Sequence, residues 1–243
     1  MGINNIGKLF YKDYYKEVNF ENVINGIESS PGQINQKIKR SAHLTIANPI
    51  GTEECSSFRA KILYPGLVTG VGLEHNSKNI KGGYNLGMHF DYTWGMPVVY
   101  GSSVKGVLRE YFKEFYESKE FKKEGIEAND LFEDIFNGGK KSIYHRDIFF
   151  DAVITKTYNG HLLEDDSITP HGDNPLKNPL PITMLKIAPG CIIEFRFRLV
   201  DSEIGGVKFT KEQKLELFKN ILETVGIGAK TNVGYGQLEL ING

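Results

Sequence analysis

Lys230, Thr231 and Asn232 sit in the middle of Gly226-Ile-Gly-Ala-Lys-Thr-Asn-Val-Gly-Tyr-Gly236, an eleven-residue stretch with four glycines. Glycines at that density let the chain turn through positive φ and bring main-chain N–H groups close to an anion or a nucleic-acid backbone. The stretch therefore reads as a binding loop. Ala229-Lys230-Thr231 looks superficially like the end of a nucleotide-binding P-loop, but two features exclude that chemistry. Alanine stands where the motif needs glycine. The helix-forming run Lys211 to Glu223 also precedes the loop and a short apolar run, Val233 to Ile241, follows it, which reverses the P-loop order.

A second constellation lies far away in sequence, Gly101-Ser-Ser-Val-Lys-Gly-Val-Leu-Arg109. Ser102 or Ser103 is suited to cap a helix whose apolar face is Val104, Val107, Leu108, Tyr111, Phe112 and Phe115. Lys105 and Arg109, four residues apart, share one side of that helix. Cations are disfavoured in a first turn, where free N–H groups attract anions instead. Ser102, Ser103 and Lys105 together thus suit a phosphate better than they suit helix stability.

The elements that must position these two groups can be read coarsely. Lys8 to Ile27 has helical spacing, and Gln33 to His43 is basic, its Lys37, Lys39, Arg40 and His43 reading as a solvated face. Phe58 to Tyr64 alternates as a first strand. Pro65 to Gly101 is a long Gly-rich loop, and loops of that length are usually functional. The helix after Ser103 leads to a strand at Ile148 to Ile154, and Asn159 to Pro181 reads as a second long polar loop. Pro181 to Pro189 and Cys191 to Val200 read as two strands around a turn. A helix at Lys211 to Glu223, capped by Thr210, and a strand at Val233 to Ile241 close the chain.

The 243 residues suffice for one large domain or two small ones, and a 40% hydrophobic content supports a core. No apolar run approaches the roughly 18 residues of a membrane span, and the first residues do not resemble a secretory leader, so a cytoplasmic protein without a membrane partner is expected. Cys55 and Cys191 form neither a zinc motif nor a disulfide framework. The 29 basic and 30 acidic side chains leave a net charge of −1, which speaks against a free-standing nucleic-acid binder. A subunit that grips nucleic acid within a larger assembly needs only a local patch. His75 with Glu164, Asp165 and Asp166 raises a metal site, but no ligand spacing supports one, and no metal or cofactor is expected.

Two segments carry a family resemblance. Pro97-Val-Val-Tyr-Gly-Ser-Ser-Val-Lys-Gly-Val-Leu-Arg109 is similar to the Pro-Gly-Ser-Ser-hydrophobic-Lys-Gly-hydrophobic-hydrophobic-Arg segment of the RAMP superfamily of CRISPR-associated proteins, and Gly226 to Gly236 is similar to its C-terminal glycine-rich loop. Asp166-Ser-Ile-Thr-Pro-His171, with Pro179-Leu-Pro-Ile-Thr-Met-Leu and Pro189-Gly190, resembles the branch that supplies the sixth, small subunit of type III-B (Cmr) effector complexes, near the crRNA 3′ end. The likeness covers residues 58–241. Tyr100 departs from it, standing where proline is common.

The resemblance implies an α+β, ferredoxin-like (RRM-like) RAMP core. That core is one domain over residues 58–243, with insertions at about 65–100 and 159–181 and a helical lead-in of residues 1–57 packed on it. It further implies a non-catalytic subunit that binds crRNA and target RNA in antiviral defence, beside other Cmr-type RAMP subunits. RNA held by its backbone needs main-chain donors, a few cations and aromatic platforms. The implied contacts are Ser102, Ser103, Lys105 and Arg109 on the helix, and Gly228, Lys230, Thr231 and Asn232 on the loop. Tyr235 is a stacking candidate and His171 a further contact. The alternative is a RAMP endoribonuclease that cuts target RNA with Asp91, in the loop before the helix, with His89 as an acid–base partner. Against it, Asp91 is a standard turn former. A purely structural interaction protein is the third reading.

Overall fold

The computed structural model describes residues 5–40, 55–70, 74–75, 80–118, 120–139, 141–169 and 181–241. Strand β1, Ser56–Ile62, shows how the sequence builds the core: Phe58, Ala60 and Ile62 are buried on one face, while Ser57, Arg59 and Lys61 alternate to the other. Further strands follow at β2 (Val98–Val99), β3 (Ile148–Phe149), β4 (Ala152–Lys156), β5 (Leu163–Ile168), β6 (Ile182–Ile187), β7 (Ile192–Arg198), β8 (Ser202–Ile204), β9 (Val207–Phe209) and β10 (Leu238–Ile241). The main sheet is antiparallel in the order β10-β1-β7-β4-β2, with β3 also paired to β7.

Two long helices contact each other, and their apolar residues join the sheet's in one core: α4, Gly101–Tyr116, and α6, Lys211–Val225. Helix α4 contributes Val104, Leu108, Phe112 and Tyr116, and α6 contributes Leu217, Phe218, Ile221 and Leu222. Phe218 meets Phe197 of β7 at 5.5 Å between ring centres. The expected Thr210 cap on α6 is present as a full capping box with Gln213. Under α6, Lys214 and Asp147 form an ion pair at 2.6 Å, both side chains fully buried.

The lead-in forms a distorted helix α1 over residues 6–16, then α2 (Phe20–Ile24) and α3 (Gly32–Arg40). Phe10 and Tyr14 of α1 pack on His75, whose ring lies 3.5 Å from that of Tyr14 and whose Nε2 bonds the Phe10 carbonyl at 2.9 Å. A short helix α5, Ala128–Phe132, packs against α4. No helix among the described residues is long and apolar enough to cross a membrane.

Several expectations need correction. The helix expected from Lys8 to Ile27 is two pieces, parted where Asn19 caps α2. The strand expected at Ile148 to Ile154 is broken into β3 and β4 at Phe150-Asp151. The polar loop expected from Asn159 to Pro181 contains β5, which pairs along its whole length with β6, so β6 is not the partner of β7. Its acidic residues are held in the strand by neutralising neighbours: Asp165 by Tyr84 and Lys39, and Asp166 by Lys186 and Tyr235. The hairpin β8–β9 was not expected. The last strand covers only Leu238–Ile241, because Thr231–Val233 forms a single tight turn.

Candidate nucleic-acid interface

The glycine loop is pinned at its base and open along its crest. Ile227 donates to the Gly236 carbonyl at 3.0 Å, Gly236 to Gly66 at 2.8 Å, and Ala229 to Val68 at 2.9 Å. Gly228 must be glycine: its φ is +94°, and a Cβ there would strike the Val68 carbonyl. Lys230 takes the left-handed conformation at φ 67°, and its carbonyl accepts from Val233 and Tyr235. Among the described residues, the main-chain N–H groups of Gly228, Lys230, Thr231 and Asn232 have no hydrogen-bond partner within the chain. Gly228 and Asn232 are exposed, and Lys230 and Thr231 half-buried.

Tyr235 does not belong to that crest. It is 5% exposed, packs with Val68 and Met184, and donates its phenol to Asp166 at 2.8 Å. Burial and the Asp166 carboxylate push its hydroxyl well above the ordinary tyrosine range. Burial works to raise the Asp166 carboxyl, but hydrogen bonds from Lys186 and Tyr235 outweigh it and hold that group below the usual carboxylate range. The stacking residue expected in the loop is thus a structural pin. His171 lies outside the described residues.

At the other constellation, α4 starts earlier than expected, its cap position lying two or three residues before the serines suited to it. Tyr100 occupies the cap position without a side-chain cap, and Ser102 and Ser103 lie inside the first turn. The cap comes from across the fold: the Asp151 carboxylate accepts the Gly101 N–H at 2.7 Å. A carboxylate at that terminus already complements the helix dipole, so any phosphate near Ser102 shares the site with a negative charge. Ser102 is exposed and Ser103 half-buried. The cations of α4 lie along aromatic rings, with Lys105 5.7 Å from the Phe149 ring centre and Arg109 5.4 Å from that of Phe132. Arg109 is therefore two turns from the N-terminus, on the flank of the helix.

The loop and the helix start are joined through the segment after β1. Val68 accepts from Ala229, Thr69 Oγ1 accepts the His89 N–H at 3.1 Å, and the His89 ring lies against Gly70 and stacks on Tyr100 at 4.3 Å. Residues 89–98 form a tight hairpin, with Val98 donating to His89 and Asp91 to Met96. Asp91 shapes its tip: Oδ1 accepts the N–H groups of Thr93 and Trp94 at 2.8 and 2.7 Å, and its carbonyl accepts that of Gly95. Burial lowers the His89 pKa, so its imidazole is neutral near pH 7. Asp91 and His89 lie on the same strand of the hairpin, and Asp91 Oδ1 is committed to the turn. His75, raised with the acidic trio as a metal ligand, is bonded into the aromatic core, where burial lowers its pKa to about 4.

The family model of the RAMP superfamily matches residues 59–239, which include both constellations. The chain belongs to the RAMP superfamily. A CRISPR system Cmr subunit, Cmr6 of Saccharolobus solfataricus, is 27% identical over 162 residues, 65% of this chain; the match spans about half, 49%, of that relative's length. A chain of a type III-B Cmr-beta complex bound to cognate target RNA shares the fold, with a TM-score of 0.55 and 20% identity over 99% of this chain and 87% of that one. Cmr6 from Pyrococcus furiosus is also similar, with a TM-score of 0.42 and 17% identity over 79% of this chain and all of that one. The glycine loop and the Ser-Ser-x-Lys helix both lie within the residues matched by the RAMP family model.

Three contributors escaped the sequence reading. Asp151 was hidden inside an apparent strand, Val68 to Gly70 inside a long loop, and the Asp166–Lys186 pair behind an acidic run. Only the break of alternation at Phe150-Asp151 signals the first, since an aspartate interrupting an apolar strand is a ready helix cap.

Proposed function

We propose that this chain is the non-catalytic, RNA-binding subunit of a type III-B Cmr effector, working in the cytoplasm beside other RAMP subunits and holding the crRNA 3′ region and its target RNA. The observation that carries the reading is the open crest of the glycine loop. There, main-chain donors at Gly228, Lys230, Thr231 and Asn232 have no partner among the described residues, and Lys230 adds a cationic side chain to the same loop, which suits a backbone gripped by shape and charge. The β1-α4-β3/β4-β7-α6-β10 order, with β10 and β7 flanking β1, supports a ferredoxin-like core beneath it. The likeness to Cmr6 and to a chain of an RNA-bound Cmr complex supports the partners.

Ser102, Ser103, Lys105 and Arg109 form a second, flanking contact line for phosphates, moderated by Asp151. The use of Asp91 to build a hairpin tip speaks for a binding rather than a cutting role. The test is reconstitution of the complex with crRNA and target RNA. The chain with Lys105→Ala and Lys230→Ala is expected to reduce crRNA incorporation, and Asp91→Ala to leave target cleavage unchanged. Unaltered incorporation by the first variant would favour pure scaffolding. Cleavage lost only with Asp91→Ala would establish the nuclease alternative.

A further inference from the structure

Tyr100, at the cap position of α4, has a ring with a built backing. The His89 imidazole stacks on it at 4.3 Å with an interplanar angle of 22° and also lies close against Gly70, where a Cβ would be 2.8 Å from the imidazole. His89 Nδ1 is enclosed without a hydrogen-bond partner, and burial keeps the ring neutral. The histidine is thus a flat, uncharged support rather than an exposed acid or base.

At the tip of the same hairpin Tyr92 is 75% exposed, and the half-buried Tyr11 leans on it at 6.3 Å between ring centres. Burial raises the Tyr11 hydroxyl to about 12, helped by the phenols of Tyr100 and Tyr92. Beyond the Tyr11 contact, most of the Tyr92 ring stands in water at the hairpin tip.

We propose that Tyr100 and Tyr92 form a stacking platform for the bases of single-stranded RNA, placed between the glycine loop and the start of α4. The proposal rests on the RNA-binding reading above and deepens it. The path is physical: Ala229 of the loop is bonded to Val68, Thr69 to His89, and His89 is stacked on Tyr100. These contacts tie the element that carries Tyr100 to the base of the glycine loop, so that a strand held at the loop crest reaches the platform through linked elements. Every base has a π-face, so the platform tolerates any sequence.

The experiment measures binding of fluorescent oligo(U) and oligo(A) RNA to the full chain over a range of salt. It compares wild type, Tyr92→Ala, Tyr100→Ala, Tyr100→Phe and Lys230→Ala, with melting temperature as the folding control. Tyr92→Ala and Tyr100→Ala are expected to bind about 5- to 150-fold more weakly, as for loss of one stacked base. Their salt slope should stay at the wild-type value and Tyr100→Phe should bind like wild type. 5-Iodouridine RNA should crosslink at Tyr92 or Tyr100.

If wild type binds and Lys230→Ala lowers the slope, yet both tyrosine-to-alanine variants bind normally, the platform is wrong and the RNA-binding reading stands. If those variants keep their RNA affinity but lose association with a neighbouring RAMP subunit, the two rings face protein and the platform is likewise overturned. If wild type binds neither RNA, the function proposed above fails and takes the platform with it.

Discussion

Tyr235 donates its phenolic hydrogen to Asp166 at 2.8 Å, and through this bond the C-terminal glycine loop is fastened to the β5–β6 ribbon. Lys186 reaches the same carboxylate oxygen at 2.8 Å from β6, so the bond sits in a charged cluster of low exposure. The loop therefore has a rigid inner wall and a free outer crest. Under the proposed function, such pre-organisation spares the main-chain donors a loss of conformational freedom on meeting an RNA backbone.

Tyr235→Phe keeps the packing against Val68 and Met184 and removes one hydrogen bond to a charged group. The expected cost is about 1–3 kcal/mol in urea unfolding. The slope of RNA affinity against salt should not change, because no phosphate contact is lost.

Asp151 both caps α4 and places a negative charge beside Ser102. Asp151→Ala should destabilise the fold by about 1 kcal/mol through loss of the cap. Asp151→Asn keeps an acceptor and removes the charge. It should bind RNA more tightly than wild type at low salt with little change in stability, as read by titration at matched ionic strength. Equal or weaker binding would place the phosphate path away from the α4 terminus.

The Lys214–Asp147 pair is fully buried, with Asp147 also accepting the Val200 N–H at 2.8 Å. Burial pushes the lysine down and the aspartate up, each opposed by its partner's charge. Removing one member strands the other, so Lys214→Ala should cost about 3–5 kcal/mol. Replacing both with apolar residues of similar size should cost much less. Chemical denaturation of the two variants checks this contrast.

His75 gives the lead-in a pH dependence. Above about pH 6.5 the imidazole is neutral in folded and unfolded chains alike, and its contribution is constant. Between 6.5 and about 4 the unfolded chain takes up a proton that the folded one refuses, so stability falls as pH falls, by up to about 3 kcal/mol. Below about 4 both forms are protonated and the slope disappears. The difference in stability between wild type and His75→Gln, followed across that window, should shrink as the pH drops.

Legibility in the sequence followed how local the cause was. Helix α6, with its Thr210 cap, and strands β1 and β7 were readable because periodicity and capping are local signals. The acidic β5 was not, since Glu164, Asp165 and Asp166 favour a strand only when Lys39, Tyr84, Lys186 and Tyr235 arrive from elsewhere. Two hairpin signals were present and overlooked: Asn159-Gly160 and Gly205-Gly206 both place two successive residues at positive φ. In the candidate site, the need for glycine at Gly228 and the turn-forming role of Asp91 were legible. The inward turn of Tyr235 was not, because only the Asp166 partner across the fold decides it.

The most direct test is the salt dependence of single-stranded RNA binding by wild type and Lys230→Ala. Each phosphate contact releases counterions, so losing one should lower the slope of log affinity against log salt by roughly 0.7. The account predicts salt-dependent binding by wild type and a slope smaller by about that amount in Lys230→Ala, at unchanged melting temperature. An identical slope and affinity in the two proteins would contradict it.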